Sequence, residues 1–245
     1  MKRFVRWILI GVSGIFLAVV AFFLFIYFSA ANNIEINANL TPFNNRKDIL
    51  RLDSIRITPD SLTSRISSVL NKANVQGFAV SIVNDNELVY QQYFGSKDKS
   101  KGTILTAGTI FYGASFSKTI FFQAILKQDS PRYNELITPQ VRIRSKQQFG
   151  PNAMIDTNEN DSIRLSYGLG FGLYFTPYGK AFFKEGHLEG WQHYAVGFPE
   201  KGIAVVMMSN SDNAEGVFNE LIKITTGNRY TPWFWEGYIP AKFSN

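Results

Sequence analysis

The short connections between neighbouring strand-like segments constrain the fold of this chain most strongly. Residues 77–83 and 87–94 are rich in β-branched and aromatic residues, and only Asn84-Asp85-Asn86 separates them, which predicts a β-hairpin. Three more such segments follow through turns of a few residues, at 181–186, 191–198 and 202–209. Strands joined so closely are antiparallel, because a parallel pair needs a crossover of a dozen or so residues. The sequence therefore predicts an antiparallel sheet.

Helices are predicted on both sides of these strands along the chain. Thr58-Pro59-Asp60-Ser61 begins one, since proline is tolerated at the first helical position, and its apolar residues fall on one face. Asp212-Asn213-Ala214-Glu215 fits a capping box for a last helix that ends at about Ile224. With 45% hydrophobic residues the chain can bury one sizeable core. The predicted fold class is an α/β (α+β) sandwich, an antiparallel sheet flanked by N- and C-terminal helices.

The remaining segments have weaker patterns. Residues 128–162 are polar and contain several prolines and glycines, which predicts a loop. The segment from Tyr167 to Tyr174 alternates glycine with large apolar residues, as expected for one strand that another layer approaches closely. The tail from Thr231 to Tyr238 is too aromatic to be free, and we expect it to pack on the sheet.

The N-terminus has the pattern of a membrane anchor. Lys2, Arg3 and Arg6 precede a run from Trp7 to Ile34 that carries no charge and is long enough to cross a bilayer as a helix. The basic residues predict that the N-terminus stays inside and that the rest lies outside the cytoplasmic membrane. Cleavage near Ser29-Ala30-Ala31 is the alternative. The predicted domains are an anchor at 1–34, a tether at 35–57 and a globular domain at 58–245.

One stretch combines a nucleophile with a base. Ser115 and Lys118 are three residues apart in a segment that is apolar on both sides, and a helix would place both side chains on one face. Lysine can take the proton of a serine hydroxyl where burial lowers its pKa. Ile110, Phe111 and Tyr112 are expected to supply part of that burial. The alternative is a helix N-cap serine beside a lysine that extends to solvent.

Composition excludes several other functions. The net charge is +6, but three of these charges are at the N-terminus and no basic run is interleaved with aromatic residues, which argues against nucleic-acid binding. The chain has no cysteine, and its two histidines, His187 and His193, do not have the spacing of a zinc site. We expect His193 to be a surface residue of a strand. Neither a metal nor a cofactor is predicted.

Together these segments resemble the serine β-lactamase and penicillin-binding-protein superfamily, most closely its class C-like serine hydrolases. Ser115 to Lys118 matches the SxxK motif, Lys184-Glu185-Gly186 lies where the family has a KTG or HGG triplet, and Gly190-Trp191 lies where it has a glycine–aromatic pair. The resemblance implies that Ser115 forms an acyl-enzyme and that Lys118 accepts or relays its proton. It further implies an oxyanion hole from the backbone N–H groups of Ser115 and His187, the residue after Gly186, and a Lys184 that holds a substrate carboxylate or assists proton transfer.

Two departures from the family pattern raise an alternative. Glu185 replaces the usual threonine or glycine and places a negative charge beside the carboxylate site. Only 65 residues separate Lys118 from Lys184, too few for the family's helical subdomain with its Tyr-x-Asn or Ser-x-Asn motif, so this subdomain is predicted to be truncated. The chain is predicted to be an extracytoplasmic hydrolase of an ester, amide or peptidoglycan-like substrate. The alternative is a catalytically incompetent remnant that binds a cell-wall ligand or a partner.

Overall fold

The computed structural model describes residues 42–45, 47–117 and 132–241. Its regular elements, in chain order, are β1 (Ile49–Leu50), β2 (Arg56–Ile57), α1 (Pro59–Lys72), β3 (Gly77–Asn84), β4 (Glu87–Asp98), β5 (Thr103–Ile104), α2 (Arg132–Leu136), β6 (Val141–Arg142), β7 (Ser166–Tyr167), β8 (Gly172–Thr176), β9 (Gly179–Leu188), β10 (Trp191–Phe198), β11 (Ile203–Ser209), α3 (Phe218–Thr226) and α4 (Trp233–Glu236). Short 3₁₀ turns occur at Ala114–Phe116, Pro151–Met154, Pro199–Lys201 and Asp212–Val217.

Within these residues nine strands form one sheet in the order β5-β4-β3-β11-β10-β9-β8-β7-β6. Every pairing between neighbours is antiparallel. The predicted antiparallel sheet is therefore confirmed. The hairpin of β3 and β4 turns at Asp85 and Asn86, which have positive φ values of 50° and 63°. Asn and Asp tolerate this conformation better than most residues, which is why this short segment can reverse the chain.

The hydrophobic core lies between one face of the sheet and the helices α1 and α3. The predicted first helix is confirmed, and Thr58 caps it by accepting a hydrogen bond from the Ser61 amide at 3.3 Å. Side chains alternate between the faces of a strand, so every second residue of the central strands points at the helices. The buried residues of this core include Leu62, Ile66, Phe78, Val80, Ile82, Phe183, Tyr194, Val205, Met207, Phe218 and Leu221.

The aromatic tail packs on this core, as predicted. The Trp233 and Tyr238 rings lie 4.9 Å and 5.9 Å from the ring of Tyr194, between centroids. Trp235 is buried and donates its indole N–H to the Ser145 hydroxyl. The tail thereby closes the core beside strand β9.

The predicted tether at 35–57 differs from the structure over its second half. Residues 49–57 form the β1–β2 hairpin, and Ile49, Leu52 and Ile57 are buried in the core. The buried side chain of Asn84 clamps β1 to the end of β3, since it accepts from the Leu50 amide (2.7 Å) and donates to the Leu50 carbonyl (3.0 Å). Local polarity suggested a linker, whereas these contacts join segments far apart in the chain.

Two further local predictions were wrong. The segment 167–174 is not one strand, because β7 ends at Tyr167 and the chain turns before β8 begins at Gly172. Asp212 does not form a capping box. Residues Asp212–Val217 form a 3₁₀ turn without a side-chain cap, and the Asp212 carboxylate instead accepts from the Gly190 amide at 2.8 Å. A tertiary partner has replaced the local one.

The loop prediction for 128–162 agrees with the described part of that stretch, which contains only α2, β6 and a 3₁₀ turn. Across 42–45, 47–117 and 132–241, no helix combines the length and apolarity that a membrane span requires. The predicted anchor at 1–34 lies outside these residues. It remains a prediction from the sequence.

Candidate active site

Ser115 lies in the 3₁₀ turn Ala114–Phe116, here called the Ser115 turn, which packs against strand β9. Gly186 makes this approach possible. A Cβ atom at Gly186 would lie 2.9 Å from both the Cβ and the amide nitrogen of Phe116, closer than real Cβ atoms come. Ala114, which precedes the serine, has a positive φ of 45° that non-glycine residues seldom adopt. Contacts on β9 therefore hold the turn in a conformation that its own sequence does not favour.

The surroundings of Ser115 differ from a buried helix. Ile110 and Tyr112 are each 61% exposed, so the burial expected from these two residues is wrong. Phe111 and Phe116 instead contact the ring of His193, at centroid distances of 6.2 Å and 6.3 Å. Lys118 lies outside the described residues, so its pairing with Ser115 remains a sequence prediction.

A cleft of about 470 Å³ opens at Ser115, and we call it the Ser115 cleft. The described residues that line it are Ser115, Gln148, Phe149, Tyr167, Gly170, Lys184, Glu185 and His187. The fold thus brings three of the predicted site residues, Ser115, Lys184 and His187, to one cleft, and Gly186 lies beneath the Ser115 turn. A larger depression of about 640 Å³ is lined by residues such as Arg142, Asp161 and Phe175, and none of the predicted site residues lines it.

Lys184 and Glu185 form an ion pair in the wall of this cleft. The Lys184 ammonium lies 3.2 Å from Glu185 Oε1, and the two side chains are only 10% and 7% exposed. Strand β8 pairs with β9 only as far as Phe183, so the following residues of β9 have an open edge. At that edge two consecutive side chains, which start on opposite faces of the sheet, can meet.

Glu185 is ionised although it is buried. Burial by itself would raise the pKa of its carboxyl, but the Lys184 ammonium and the amide of Gln148, which donates to Oε1 at 3.0 Å, outweigh that effect. The pKa of Glu185 is consequently lowered. The positive charge that the sequence places at Lys184 is therefore balanced within the protein.

The His187 ring is held by hydrogen bonds on both nitrogens. Its Nδ1 lies 2.7 Å from Gln192 Oε1 and 3.8 Å from a carboxylate oxygen of Glu215. Since the Gln192 oxygen can only accept, Nδ1 donates to it, and Nε2 lies within hydrogen-bonding distance of the Tyr238 hydroxyl, at 3.1 Å. These contacts fix the β9 backbone where the resemblance implies an oxyanion donor.

A comparison of the sequence with models of protein families identifies the family. The model of the family described as Beta-lactamase matches residues 62–130 and 137–224, more than half of the chain. The chain belongs to the Beta-lactamase family. A comparison with curated protein sequences gave no match.

Several solved structures show a distant likeness to the chain. The octameric penicillin-binding protein homologue from Pyrococcus abyssi is 12% identical over 75% of this chain and 78% of its own, with a TM-score of 0.46. The D-alanine carboxypeptidase AmpC from Burkholderia cenocepacia is 14% identical over 62% and 93%, with a TM-score of 0.42. The beta-lactamase/D-alanine carboxypeptidase from Pseudomonas syringae is 10% identical over 69% and 97%, with a TM-score of 0.44. The family assignment rests on the family model alone.

His193 is not the surface residue predicted for this Beta-lactamase family member. It is fully buried, its Nε2 donates to the Tyr112 carbonyl at 2.7 Å, and its Nδ1 accepts from the Ser209 amide at 3.3 Å. Burial lowers the pKa of His193, so the ring is neutral near pH 7. Its role is to tie the segment before Ser115 to strand β10. Within the described residues, no group of three or more His, Asp or Glu side chains could hold a metal ion.

Sequence reasoning did not identify Tyr167 as a site residue, yet it lines the Ser115 cleft at the end of β7. Burial, together with the negative charge of Glu185, raises the pKa of its hydroxyl. Tyr167 is therefore a neutral hydrogen-bond donor rather than a phenolate base. The sequence feature that could have identified Tyr167 is its position directly before the glycine-rich turn 168–172. Gly170 of that turn also lines the Ser115 cleft.

A second acidic side chain lies behind the cleft wall. Glu236 is buried, its Oε1 accepts from the Tyr194 hydroxyl at 3.0 Å, and its Oε2 has no partner among the described residues. Burial, reinforced by the charge of Glu185, raises the pKa of Glu236 well above its ordinary value. The carboxyl consequently keeps its proton to a higher pH in the folded protein than in the unfolded chain.

This raised pKa predicts a pH-dependent stability. Above the ordinary pKa of a glutamate, near 4.5, the unfolded chain binds fewer protons than the folded state, so the free energy of unfolding falls as the pH rises. Glu236→Gln mimics the protonated carboxyl and should remove this slope, making the variant more stable than the wild type at pH 8 but not at pH 4. Urea unfolding at both pH values measures the difference. Glu189→Gln, at an exposed position, is the control, and an unchanged slope in Glu236→Gln would contradict the interpretation.

Proposed function

We propose that the protein is a serine hydrolase that forms an acyl-enzyme at Ser115 with an ester, amide or peptidoglycan-like substrate. One observation carries the proposal. The Ser115 turn is seated on Gly186 of β9, and Ser115 shares a cleft with Lys184 and His187. Membership of the Beta-lactamase family supports the same chemistry. The charge-free run from Trp7 to Ile34 supports an extracytoplasmic domain anchored by a single N-terminal helix.

The proposed reaction begins with attack of Ser115 Oγ on the substrate carbonyl carbon. The hydroxyl proton passes to Lys118 of the SxxK motif, and the carbonyl oxygen becomes an oxyanion. The backbone N–H groups of Ser115 and His187 stabilise that oxyanion, and such donors typically contribute a factor of about 10²–10³ in rate. Gly186 supports this role, since only a residue without a Cβ lets the Ser115 turn approach β9. The oxyanion then collapses, the bond to the leaving group breaks, and the leaving group takes the proton from Lys118. Water hydrolyses the resulting acyl-enzyme, which frees the acid and restores the Ser115 hydroxyl.

The proposal predicts a covalent adduct on one serine. Treatment of the full-length protein with a small uncharged fluorophosphonate should add one phosphonyl group, which peptide mass spectrometry should locate at Ser115. Ser115→Ala should abolish the adduct. Ser117→Ala is the matched control, because Ser117 is exposed in the same segment and its hydroxyl donates to the Ala114 carbonyl. This control should label at the wild-type rate.

Two results would contradict the proposal. Labelling of another serine, or no labelling of a folded wild-type protein, would exclude an activated Ser115. The predicted alternative, a remnant that binds a cell-wall ligand without turnover, would then account better for the chain.

A further inference from the structure

The lysine of the Ser115 cleft already has an anion bound to it. Lys184 and Glu185 are 3.2 Å apart and nearly excluded from solvent, so this contact is little screened by water or salt. A carboxylate that approached Lys184 from the cleft would have to share the ammonium with Glu185. It would also place a second negative charge beside a buried one, which is strongly unfavourable.

The hydrogen bonds of Glu185 are unevenly distributed. Both the Lys184 ammonium and the Gln148 amide contact Oε1. The other oxygen, Oε2, is buried and has no hydrogen-bond partner among the described residues. Because Oε2 is buried, a ligand in the cleft does not contact it, and Glu185 acts on a ligand through its charge and its contact with Lys184.

The remaining described residues of the cleft do not change this balance. The described residues Gln148, Phe149, Tyr167 and Gly170 contribute no charge to the cleft. Both ring nitrogens of His187 already have hydrogen-bond partners within the protein. A ligand ammonium group is not favoured either, because it would lie beside the Lys184 ammonium. The described wall of the cleft thus carries one positive and one negative side chain, Lys184 and Glu185, and these neutralise each other.

We propose that Glu185 is the specificity-determining residue of the Ser115 cleft. By serving as an internal counter-ion for Lys184, it excludes substrates that carry a carboxylate and favours neutral acyl groups. This inference rests on the proposed function, in that the ligand is the acyl substrate of Ser115. It reverses the role that the family resemblance implies for Lys184, that of holding a substrate carboxylate.

Equilibrium binding tests the inference independently of catalysis. The probes are three unreactive anilides of similar size, derived from succinamide (neutral), succinic acid (anionic) and 4-aminobutyric acid (cationic). Ligand-observed NMR titration of the full-length Ser115→Ala protein gives a Kd for each. We expect the neutral anilide to bind about tenfold more tightly than the anionic one, and the cationic one to show no advantage over the neutral one.

Two further variants, each in the Ser115→Ala background, isolate Glu185. Glu185→Gln keeps the side-chain size and releases Lys184, so the anionic anilide should gain about tenfold in affinity. Glu189→Gln removes the same charge from an exposed position just beyond β9 and should leave the ranking unchanged. Circular dichroism confirms that each variant is folded.

Several outcomes would overturn the inference. The first is that the anionic or the cationic anilide binds most tightly while Glu185 is present. The second is that a folded Glu185→Gln protein ranks the three Kd values as before. The third is that none of the three probes binds. If Glu185→Gln does not fold, the inference is tested by the Kd values of the three anilides for the Ser115→Ala protein, in which Glu185 is present. Failure of the proposed function is recognised separately, because fluorophosphonate labelling of Ser115 uses an uncharged reagent and does not depend on this ranking.

Discussion

Gly186→Val is expected to reduce the rate of fluorophosphonate labelling at Ser115 by about 100-fold or more. The new Cβ would meet the backbone of Phe116 at 2.9 Å, and backbone cannot move aside as a flexible side chain can. The Ser115 turn must therefore shift away from β9, and a displacement of about 1 Å at a reacting group typically costs about 10² in rate. Labelling rates measured by intact-protein mass spectrometry give the effect.

Gly197→Val separates this displacement from a general loss of stability. Gly197 lies on β10 of the same sheet, and a Cβ there would meet the Phe182 ring at 2.3 Å rather than the Ser115 turn. Overpacking of this kind costs about 1–3 kcal/mol of stability at either position. We expect the folded Gly197→Val protein to label at close to the wild-type rate. Wild-type labelling of a folded Gly186→Val protein would show that the turn does not depend on its seat against β9.

Phe183→Ala is expected to lower the free energy of unfolding by about 3–5 kcal/mol, the usual cost of a buried phenylalanine. Phe183 is 0% exposed and its ring contacts those of Tyr174, Tyr194 and Trp235. The surrounding structure cannot collapse easily into the cavity, because the central strands and the aromatic tail hold it on several sides. Urea denaturation at pH 7 measures the change.

Phe234→Ala provides the matched control for Phe183→Ala, since Phe234 is 58% exposed in α4. A surface substitution usually changes the stability by about 0.5 kcal/mol or less. Similar losses in the two variants, or a loss below about 1 kcal/mol in Phe183→Ala, would contradict the assignment of Phe183 to the centre of the core.

Much of the sheet was predictable because its signals are local. The turn at Asp85 and Asn86, the alternation along β10 and β11, and the Thr58 cap of α1 each depend on residues close together in the sequence. The failures arose where a tertiary contact replaced a local one. The Asp212 carboxylate bonds to the amide of Gly190, 22 residues away, and this tertiary contact replaces the predicted capping box.

The candidate site was predictable to a lesser extent. The resemblance to the family identified Ser115, Lys184 and His187, which line one cleft in the structure. It did not identify Tyr167, which lies on a separate short strand and carries no motif of its own. The burial of His193 likewise depends on contacts with Tyr112 and Ser209, which come from distant parts of the chain.

In this protein, local sequence patterns determine the central strands and the turns at which the chain reverses. The SxxK motif identifies the candidate serine. The charge state of the cleft is decided by the tertiary fold. Because β8 stops pairing with β9 at Phe183, the side chains of Lys184 and Glu185 meet at an open strand edge, and Gln148 arrives there from a distant loop. The physical reason is that the position of a residue along a strand fixes the face of the sheet on which its side chain starts. Side chains from opposite faces can contact each other only around a free edge, and the end of the neighbouring strand determines where that edge begins.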